Sequence, residues 1–446
     1  MSAPTPARRV AYEVLRRVFE HGAWADRALR SAVERHGVEG RERAQAQHLA
    51  YGAVQRRGTT DHLVSILADR KPQKIDPPLL AALRLGAFEL LFAGAHADHA
   101  SVDQAVELAK GGRDGGRRHR GAGLVNAVLR RLAREGEGLL EAIDATTPEG
   151  AAVLNSMPEW VARLWFEERG AEAAVALMAA ANEPPARTYR LADPSADAPV
   201  PGLEPVAGTP AGVVLLDGAG AAGDEVEAAV AAGTLVPQSF GSALAAASLG
   251  AEPGERVLDL CAAPGIKTTQ LAVAVGPAGS VTAVEQDEGR AGQLSELCGR
   301  VGVGNVSVVA GDARGVDVGA GYDRVLVDAP CTGLGTLAAR PDARWRRRAG
   351  DVAELSTLQS ELLARGLAAL RPGGRAVYSV CTVSRAEGES VLAAALASDE
   401  GLTSADLTAG HPALAEPAAP GALQTLPGRD GSDGFFIAAI DREGGR

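Results

Sequence analysis

Apolar residues in the first third of the chain recur at spacings of three and four. The repeat is clear in stretches that begin at Val10, Leu79 and Leu124, and this spacing places apolar side chains on one face of an α-helix. The sequence therefore predicts an all-α domain over residues 1–145. A Gly- and Arg-rich stretch at 111–123 predicts a basic loop before the last helix of this domain.

From residue 236 to residue 446, short apolar strands alternate with helical segments. The predicted strands are Arg256–Leu260, Ser280–Glu285, Val306–Ala310, Arg324–Val327, Gly374–Val380 and Gly434–Ile440. This alternation predicts a doubly wound, Rossmann-like α/β domain, and it leaves the order of the strands open. Residues 150–235 combine a predicted helix near Glu159–Ala181 with strand-like pieces, which indicates a small bridging α+β module.

The N-terminal part of the chain is positively charged and the remainder is negatively charged. Residues 1–140 hold 23 Lys and Arg against 16 Asp and Glu, a net charge of +7, whereas the remainder carries −18. A positive domain on an acidic protein favours a polyanion such as RNA, because phosphate contacts supply much of the affinity for nucleic acids. The candidate RNA-binding residues lie in the basic loop and the helix after it: Arg117, Arg118, Arg120, Arg130 and Arg131.

Composition argues against several other classes of protein. The four cysteines are too few and too scattered for a disulfide scaffold or a paired zinc site. No charge-free apolar run reaches the length of a membrane span, and the first residues lack the apolar core of a secretory signal. We therefore expect a cytoplasmic protein that binds neither a membrane nor a metal, and we expect it to be a monomer.

The first predicted strand of the α/β domain ends in a carboxylate and leads into a loop of small residues. Asp259 is followed closely by Cys261, Ala262, Ala263, Pro264, Gly265, Ile266 and Lys267. Small residues let the backbone approach a ligand, and open α/β sheets bind nucleotides beyond the carboxyl ends of their strands. Triphosphate binding is not expected, because the spacing differs from that of a P-loop.

The next two strands also end at carboxylates, Glu285 and Asp312. Glu285 lies about twenty residues beyond the glycine of the loop, a spacing at which a carboxylate can accept both ribose hydroxyls of an adenosine. Together with Asp259, these residues predict three carboxylates at one edge of the sheet. Such a set suits a cofactor that carries a ribose, an adenine and an amino-acid ammonium.

Two of the four cysteines fall at the ends of the two strands that come next. Cys331 follows Asp328 closely, and Cys381 directly follows Val380. A thiolate at such a position can attack an electrophilic ring carbon, and Asp328 can donate a proton to a ring nitrogen. We interpret Cys261 and Cys298 as small buried residues without a chemical role.

These motifs resemble the bacterial RNA cytosine-C5 methyltransferases. The resemblance is carried by DLCAAPGIKT, DAPCTG, RPDARW at 340–345, VCT, and DGFF at 433–436. The basic helical N-terminus is similar to the NusB-like RNA-binding domain of the Sun/Fmu subfamily, which methylates small-subunit (16S) ribosomal RNA. The resemblance implies ribosomal RNA as the partner and S-adenosylmethionine as the cofactor, held by Asp259, residues 261–267, Glu285, Asp312 and Asp328.

The resemblance also implies a role for each residue of the catalytic group. Cys381 would add to C6 of a cytidine so that C5 can accept the methyl group, Cys331 would assist product release, and Asp328 would offset charge at N3. The chain departs from the family pattern at Ile266, where a second glycine is usual. It departs again after Cys381, where Glu387 is kept but the usual proline and asparagine are missing.

The residues leave three alternatives open. The same chemistry can act on tRNA or on large-subunit ribosomal RNA. Cys331 can be the attacking thiol instead of Cys381, because DNA cytosine methyltransferases place their nucleophile in a Pro-Cys motif. A non-catalytic RNA-binding assembly factor is the third alternative, and the retained carboxylates and cysteines argue against it.

Overall fold

The computed structural model of the protein describes residues 3–94, 98–111, 121–210 and 212–444. Contacts between residues divide the chain into two compact units. The first contains Met1–Glu183 and Leu337–Arg347, and the second contains Pro184–Thr336 and Arg348–Arg446. The three domain ranges expected from the sequence, 1–145, 150–235 and 236–446, stay a prediction.

The described part of the first unit is helical. Its α-helices are α1 Pro6–His21, α2 Ala25–His36, α3 Gly40–Gln55, α4 Arg57–Ala68, α5 Pro77–Leu91, α6 Asp98–Ala109, α7 Ala122–Glu141, α8 Pro148–Leu154, α9 Glu159–Arg169 and α10 Ala171–Ala180. The predicted all-α N-terminal domain is therefore confirmed. The single helix expected near 159–181 is two helices, because Gly170 adopts a φ of +81° between them.

The segment Leu337–Arg347 belongs to the helical unit, although the residues before and after it belong to the second unit. Arg344 is fully buried and donates hydrogen bonds to the carbonyl oxygens of Ser156, at 3.2 Å, and Ala181, at 2.7 Å. Trp345 donates its indole N–H to the Val54 carbonyl oxygen at 2.7 Å. Within the RPDARW motif, Asp342, Ala343 and Arg344 are thus buried in the helical unit, whereas Arg340 is exposed.

The second unit contains two sheets and the helices that pack on them. Its elements are β1 Thr188–Leu191, β2 Glu204–Pro205, β3 Leu215–Asp217, α11 Gly223–Ala232, β4 Leu235–Pro237, α12 Phe240–Ala247, β5 Arg256–Leu260, α13 Ile266–Val275, β6 Ser280–Glu285, α14 Glu288–Val301, β7 Val306–Ala310, β8 Tyr322–Asp328, α15 Gly350–Ala369, β9 Leu370–Val380, α16 Glu389–Ser398, β10 Leu402–Ala405, β11 Leu423–Gln424 and β12 Phe436–Arg442. The small sheet has the antiparallel order β2-β3-β1-β4. It is built from the second half of the predicted bridging module.

The large sheet has the order β10-β12-β9-β8-β5-β6-β7. Strands β7, β6, β5, β8 and β9 run parallel to one another, while β12 is antiparallel to both β9 and β10 and also pairs with β11. The predicted Rossmann-like α/β fold is confirmed, and β5, β6 and β7 begin and end at the predicted residues. Because parallel strands end at a common edge, the loops after these five strands lie together.

The interior strands of this sheet are apolar on both faces, as a sheet covered by helices requires. Leu258 and Leu260 of β5 are fully buried in one core cluster, and Val257, next to Leu258, is fully buried in another.

None of the helices in the described ranges combines the length and apolar character that crossing a bilayer requires.

Candidate active site

The loop after β5 is shaped by its backbone conformation. Gly265 has a φ of +98° and donates its N–H to the Ala262 carbonyl oxygen at 2.9 Å, and α13 begins at the next residue. A side chain at Gly265 would place its Cβ 3.0 Å from Cγ of Leu294 on α14. Glycine is therefore required here both by conformation and by the approach of α14. Ile266, in place of the usual second glycine, is the first residue of α13.

Asp259 lies beneath this loop and is only 1% exposed. Its Oδ2 atom accepts a hydrogen bond from the Thr268 hydroxyl at 2.7 Å, whereas its Oδ1 atom has no hydrogen-bond partner within the described part of the chain. Burial raises the pKa of Asp259 to about 7, against the opposing effects of Thr268 and Lys267. A buried carboxyl oxygen without a donor is costly, and a donor on a bound ligand would satisfy it.

Glu285 is also buried and fastens the loop to β6. One carboxylate oxygen accepts the Ala263 N–H at 3.3 Å, and the other accepts the Asp287 N–H at 3.0 Å. Arg290 donates to the Ala263 carbonyl oxygen at 2.8 Å and lies 3.5 Å from the Glu285 carboxylate. Glu285 and the glycine loop are therefore in direct contact, while the predicted role of Glu285 as a ribose acceptor stays a prediction.

Asp312, the third predicted carboxylate, is in a different setting. Its side chain is 39% exposed and forms a two-pronged ion pair with Arg314, which also contacts Glu361. Hydrogen bonds from Arg314 lower the pKa of Asp312 to about 2. The structure thus gathers Asp259 and Glu285 around the loop and leaves the Asp312 carboxylate engaged by Arg314.

Asp328, at the end of β8, connects the loop to the neighbouring strand. Lys267 lies with its Nζ 2.8 Å from Asp328 Oδ2, and the Ser379 hydroxyl donates to Asp328 Oδ1 at 2.7 Å. The same ammonium stands 5.1 Å from the centre of the Phe435 ring, within range of a cation–π contact. Sequence reasoning missed Ser379, because only the pairing of β8 with β9 sets it opposite Asp328.

Cys331 and Cys381 are brought into direct contact, with their Sγ atoms 3.2 Å apart. Cys331 is buried and Cys381 is half-buried. Hydrogen bonding to Cys381, reinforced by burial, holds the pKa of Cys331 well above its usual range. One thiol of the pair is therefore kept protonated and can donate a hydrogen bond to the other sulfur.

The other two cysteines lie apart from this pair. Cys261 begins the glycine loop with a φ of +64°, and Cys298 is buried in α14. Burial raises the pKa of Cys261 to about 12 and that of Cys298 to about 11. Both groups stay thiols at neutral pH, which agrees with the interpretation of these residues as chemically inert.

Glu387 is a further member of the site, and the sequence pattern assigned it no role. It is fully buried, and its carboxylate accepts hydrogen bonds from Thr332, which follows Cys331, and from Thr382, which follows Cys381. The only signal in the sequence was that Glu387 is retained in a segment that otherwise departs from the family pattern.

Of the five candidate RNA-binding arginines, two lie within the described residues and three lie outside them. Arg117, Arg118 and Arg120 lie outside the described residues. On α7, Arg130 is exposed and hydrogen-bonds to the Asn126 side chain at 3.0 Å. Arg131 pairs with Glu135 at 3.0 Å and donates to the Leu67 carbonyl oxygen at 2.8 Å. Arg130 is therefore the freer of the two to meet a phosphate.

Comparison with known proteins finds relatives for both units. A model of the 16S rRNA methyltransferase RsmB/F family matches residues 246–441, and a NusB family model matches residues 5–134. The ribosomal RNA small subunit methyltransferase B of Thermus thermophilus is 36% identical over 99% of each chain. A Mycobacterium tuberculosis protein, a putative methyltransferase, is 38% identical over 98% of this chain and 96% of its own. The crystal structure of PH0851 matches with a TM-score of 0.78 and 25% identity, covering 99% of this chain and 100% of that one.

Proposed function

Because this chain belongs to the RsmB/F family of 16S rRNA methyltransferases, we propose that it methylates C5 of a cytidine in 16S ribosomal RNA through a covalent cysteine adduct. One observation carries the cytosine-C5 assignment. Two thiols touch at 3.2 Å at the strand ends next to Asp328 and Lys267. Methylation of an exocyclic amine or a hydroxyl requires no such pair of thiols.

The glycine loop and the carboxylates around it fit S-adenosylmethionine. The Oδ1 atom of Asp259, which has no hydrogen-bond partner among the described residues, offers an acceptor for the amino-acid ammonium, and the buried carboxylate of Glu285 offers one for the ribose hydroxyls. The remaining residues proposed to line the cofactor are Cys261, Ala262, Ala263, Pro264, Gly265, Ile266, Lys267, Asp312 and Asp328. When bound, S-adenosylmethionine supplies an electrophilic methyl group on a sulfonium.

Cys381 is the proposed nucleophile. Its thiolate adds to C6 of the cytosine ring, and the electron pair displaced from the C5–C6 double bond makes C5 nucleophilic. The Cys331 thiol, 3.2 Å away, stabilises this thiolate by a hydrogen bond before the attack. Negative charge develops at N3 during this addition; Asp328 offsets it by donating a proton to N3, and the Lys267 ammonium, 2.8 Å from Asp328, offsets it by its positive charge.

Cys331 also serves product release. After methyl transfer the C5 proton passes to a water molecule that the Cys331 thiol orients. The electron pair of the C5–H bond then re-forms the C5–C6 double bond, and Cys381 leaves as a thiolate. Cys381 is thus essential for addition and Cys331 for release, so removing one thiol arrests the reaction at a different stage from removing the other.

Single alanine variants test these roles. Cys381→Ala should abolish methylation, whereas Cys331→Ala should allow addition and methyl transfer but trap a denaturation-resistant protein–RNA adduct. The assays are mass spectrometry of 5-methylcytidine in 16S RNA and denaturing gel electrophoresis of protein with labelled RNA. Cys298→Ala is the matched control, because Cys298 is a buried thiol within α14. Accumulation of the adduct in Cys381→Ala instead would reverse the two assignments.

We propose that the helical unit docks the RNA through Arg117, Arg118, Arg120, Arg130 and Arg131. Deleting residues 1–140 is a poor test, because it would remove the partners of Trp345 and of other residues in the segment 337–347. Replacing Arg117, Arg118 and Arg120 by Gln in the full chain avoids that damage. These substitutions should weaken RNA binding and reduce the slope of log affinity against log salt by about 0.7–0.9 for each phosphate that the protein no longer neutralises.

The control for the RNA experiment is Arg371→Gln, which removes an exposed charge at the start of β9. It should leave the salt dependence unchanged. A slope in the triple variant equal to that of the unmodified protein would show that the basic loop is not part of the RNA dock.

A further inference from the structure

Glu387 contacts the residues that follow both thiols of the proposed catalytic pair. Its carboxylate accepts hydrogen bonds from the Thr332 N–H at 2.7 Å, the Thr332 hydroxyl at 2.5 Å and the Thr382 hydroxyl at 3.2 Å. Each threonine directly follows one of the two cysteines. One carboxylate therefore joins the loop after β8 to the loop after β9.

We infer that Glu387 is a positioning residue that holds the sulfur atoms of Cys331 and Cys381 within contact distance. The inference rests on the proposed function of the two thiols. The residues that follow both cysteines are fixed to the same carboxylate, so the separation of the two sulfurs depends on that carboxylate. The other described contacts between the two loops include the pair of threonine hydroxyls at 3.1 Å, the Gly335 N–H that donates to the Cys381 carbonyl oxygen at 3.1 Å and the sulfur contact itself.

Other buried groups fix the position of the Glu387 carboxylate. The Gln359 side-chain amide on α15 donates to Glu387 at 3.1 Å and to the Pro330 carbonyl oxygen at 2.9 Å. The Tyr378 hydroxyl on β9 donates to the Glu387 main-chain carbonyl oxygen at 2.5 Å. Glu387 is thus held from α15, from β9 and from both cysteine loops, and its carboxylate has less freedom to move than a side chain in solvent.

The carboxylate also affects the protonation of Cys331. Burial raises the pKa of Glu387, while hydrogen bonds from Thr332 and Gln359 oppose this effect. Its negative charge contributes to raising the pKa of Cys331. The same group that sets the spacing of the thiols therefore favours the protonated form of Cys331, the donor role proposed for that residue.

Oxidation of the thiol pair measures their spacing without RNA or cofactor. Diamide removes one hydrogen from each of two neighbouring thiols to form a disulfide and is itself reduced to the hydrazine. In the unmodified protein, Cys331 and Cys381 should form this bond readily, and peptide mapping distinguishes it from reactions of Cys261 and Cys298. Glu387→Ala should slow its formation about tenfold or more, with Glu387→Gln intermediate because its amide keeps one acceptor oxygen.

Turnover provides the second measurement. Glu387→Ala should lower kcat about a hundredfold, the loss expected for displacing a reacting group by about 1 Å, while the affinity for S-adenosylmethionine stays within about twofold. Glu416→Gln is the matched control, because Glu416 is another buried glutamate of the same unit whose side chain accepts the Ala418 N–H. It should change neither the oxidation rate nor kcat.

The outcomes separate this inference from the proposed function. Oxidation of Glu387→Ala at the unmodified rate would overturn the positioning role, whatever happens to kcat. Slow oxidation combined with no 5-methylcytidine from the unmodified protein would support the positioning role and remove the proposed function. Should Glu387→Ala fail to fold, Thr332→Val and Thr382→Val each remove one hydroxyl contact. Oxidation at the unmodified rate in both of those variants would also overturn the inference.

Discussion

Asp259→Asn tests the electrostatics of the cofactor site with little change of shape. The asparagine side chain keeps an oxygen for the Thr268 hydroxyl, which donates to Asp259 at 2.7 Å. It replaces Oδ1, which no described residue contacts by a hydrogen bond, by an NH₂ group, and it removes a carboxyl whose pKa burial raises to about 7. The substitution therefore isolates the effect of one buried titrating group.

The pKa of Asp259 sets the size of its effect on stability. An aspartic acid in the unfolded chain loses its proton near pH 3.9, whereas the folded protein holds that proton up to about pH 7. The free energy of unfolding therefore falls as pH rises through this window and levels off above it. At about 1.4 kcal/mol per pKa unit, the shift to about 7 amounts to roughly 4 kcal/mol.

Urea unfolding of both proteins between pH 5 and pH 8 measures the part of this effect that lies above pH 5, roughly 3 kcal/mol at about 1.4 kcal/mol per pKa unit. Other titrating groups are common to the two proteins, so the variant should gain stability relative to the original as pH rises. Asp312→Asn is the control, because the pKa of Asp312 is held at about 2 and its removal should have no pH dependence in this range. A stability difference between Asp259→Asn and the original that does not change with pH would refute the argument.

Folding favours the protonated form of Asp259, whereas cofactor binding should favour its charged form. An ammonium beside Asp259 favours the charged carboxylate, so binding near pH 6.5 should release a fraction of a proton, and affinity should rise toward pH 8. Asp259→Asn should release none and bind S-adenosylmethionine about 1–3 kcal/mol more weakly at pH 8. Titration calorimetry in two buffers of different ionisation enthalpy measures both quantities. Equal proton release in the two proteins would show that the ammonium does not face Asp259.

Two further predictions concern the cofactor and the fold. Glu285→Ala should weaken S-adenosylmethionine binding by about 1–3 kcal/mol through loss of the ribose acceptor and should leave RNA affinity unchanged. Unaltered cofactor binding in titration calorimetry would mean that the ribose lies elsewhere. Arg344→Lys should lower the free energy of unfolding by about 2–3 kcal/mol, because an ammonium cannot reproduce the planar fork that reaches the carbonyl oxygens of Ser156 and Ala181. Urea unfolding within about 0.5 kcal/mol of the original protein would contradict this role for Arg344.

The sequence alone was enough to predict which part of the chain is helical and which is α/β, and to predict the limits of strands β5, β6 and β7. Helical spacing and short apolar runs report which side of the backbone is buried, and this is a local property. For this reason β5, β6 and β7 matched their predicted limits. The motifs also placed Asp259, Glu285, Asp328 and both reactive cysteines at strand ends.

Tertiary structure decided which of these residues meet. The contact between Cys331 and Cys381 requires β8 and β9 to be neighbours, and strand order depends on pairings between residues distant in the chain. The same pairing sets Ser379 against Asp328, and folding of the loops brings Glu387 between the two cysteine loops. Periodicity carries no information on such non-local contacts, because the free energy that selects them comes from packing the whole sheet and its helices together.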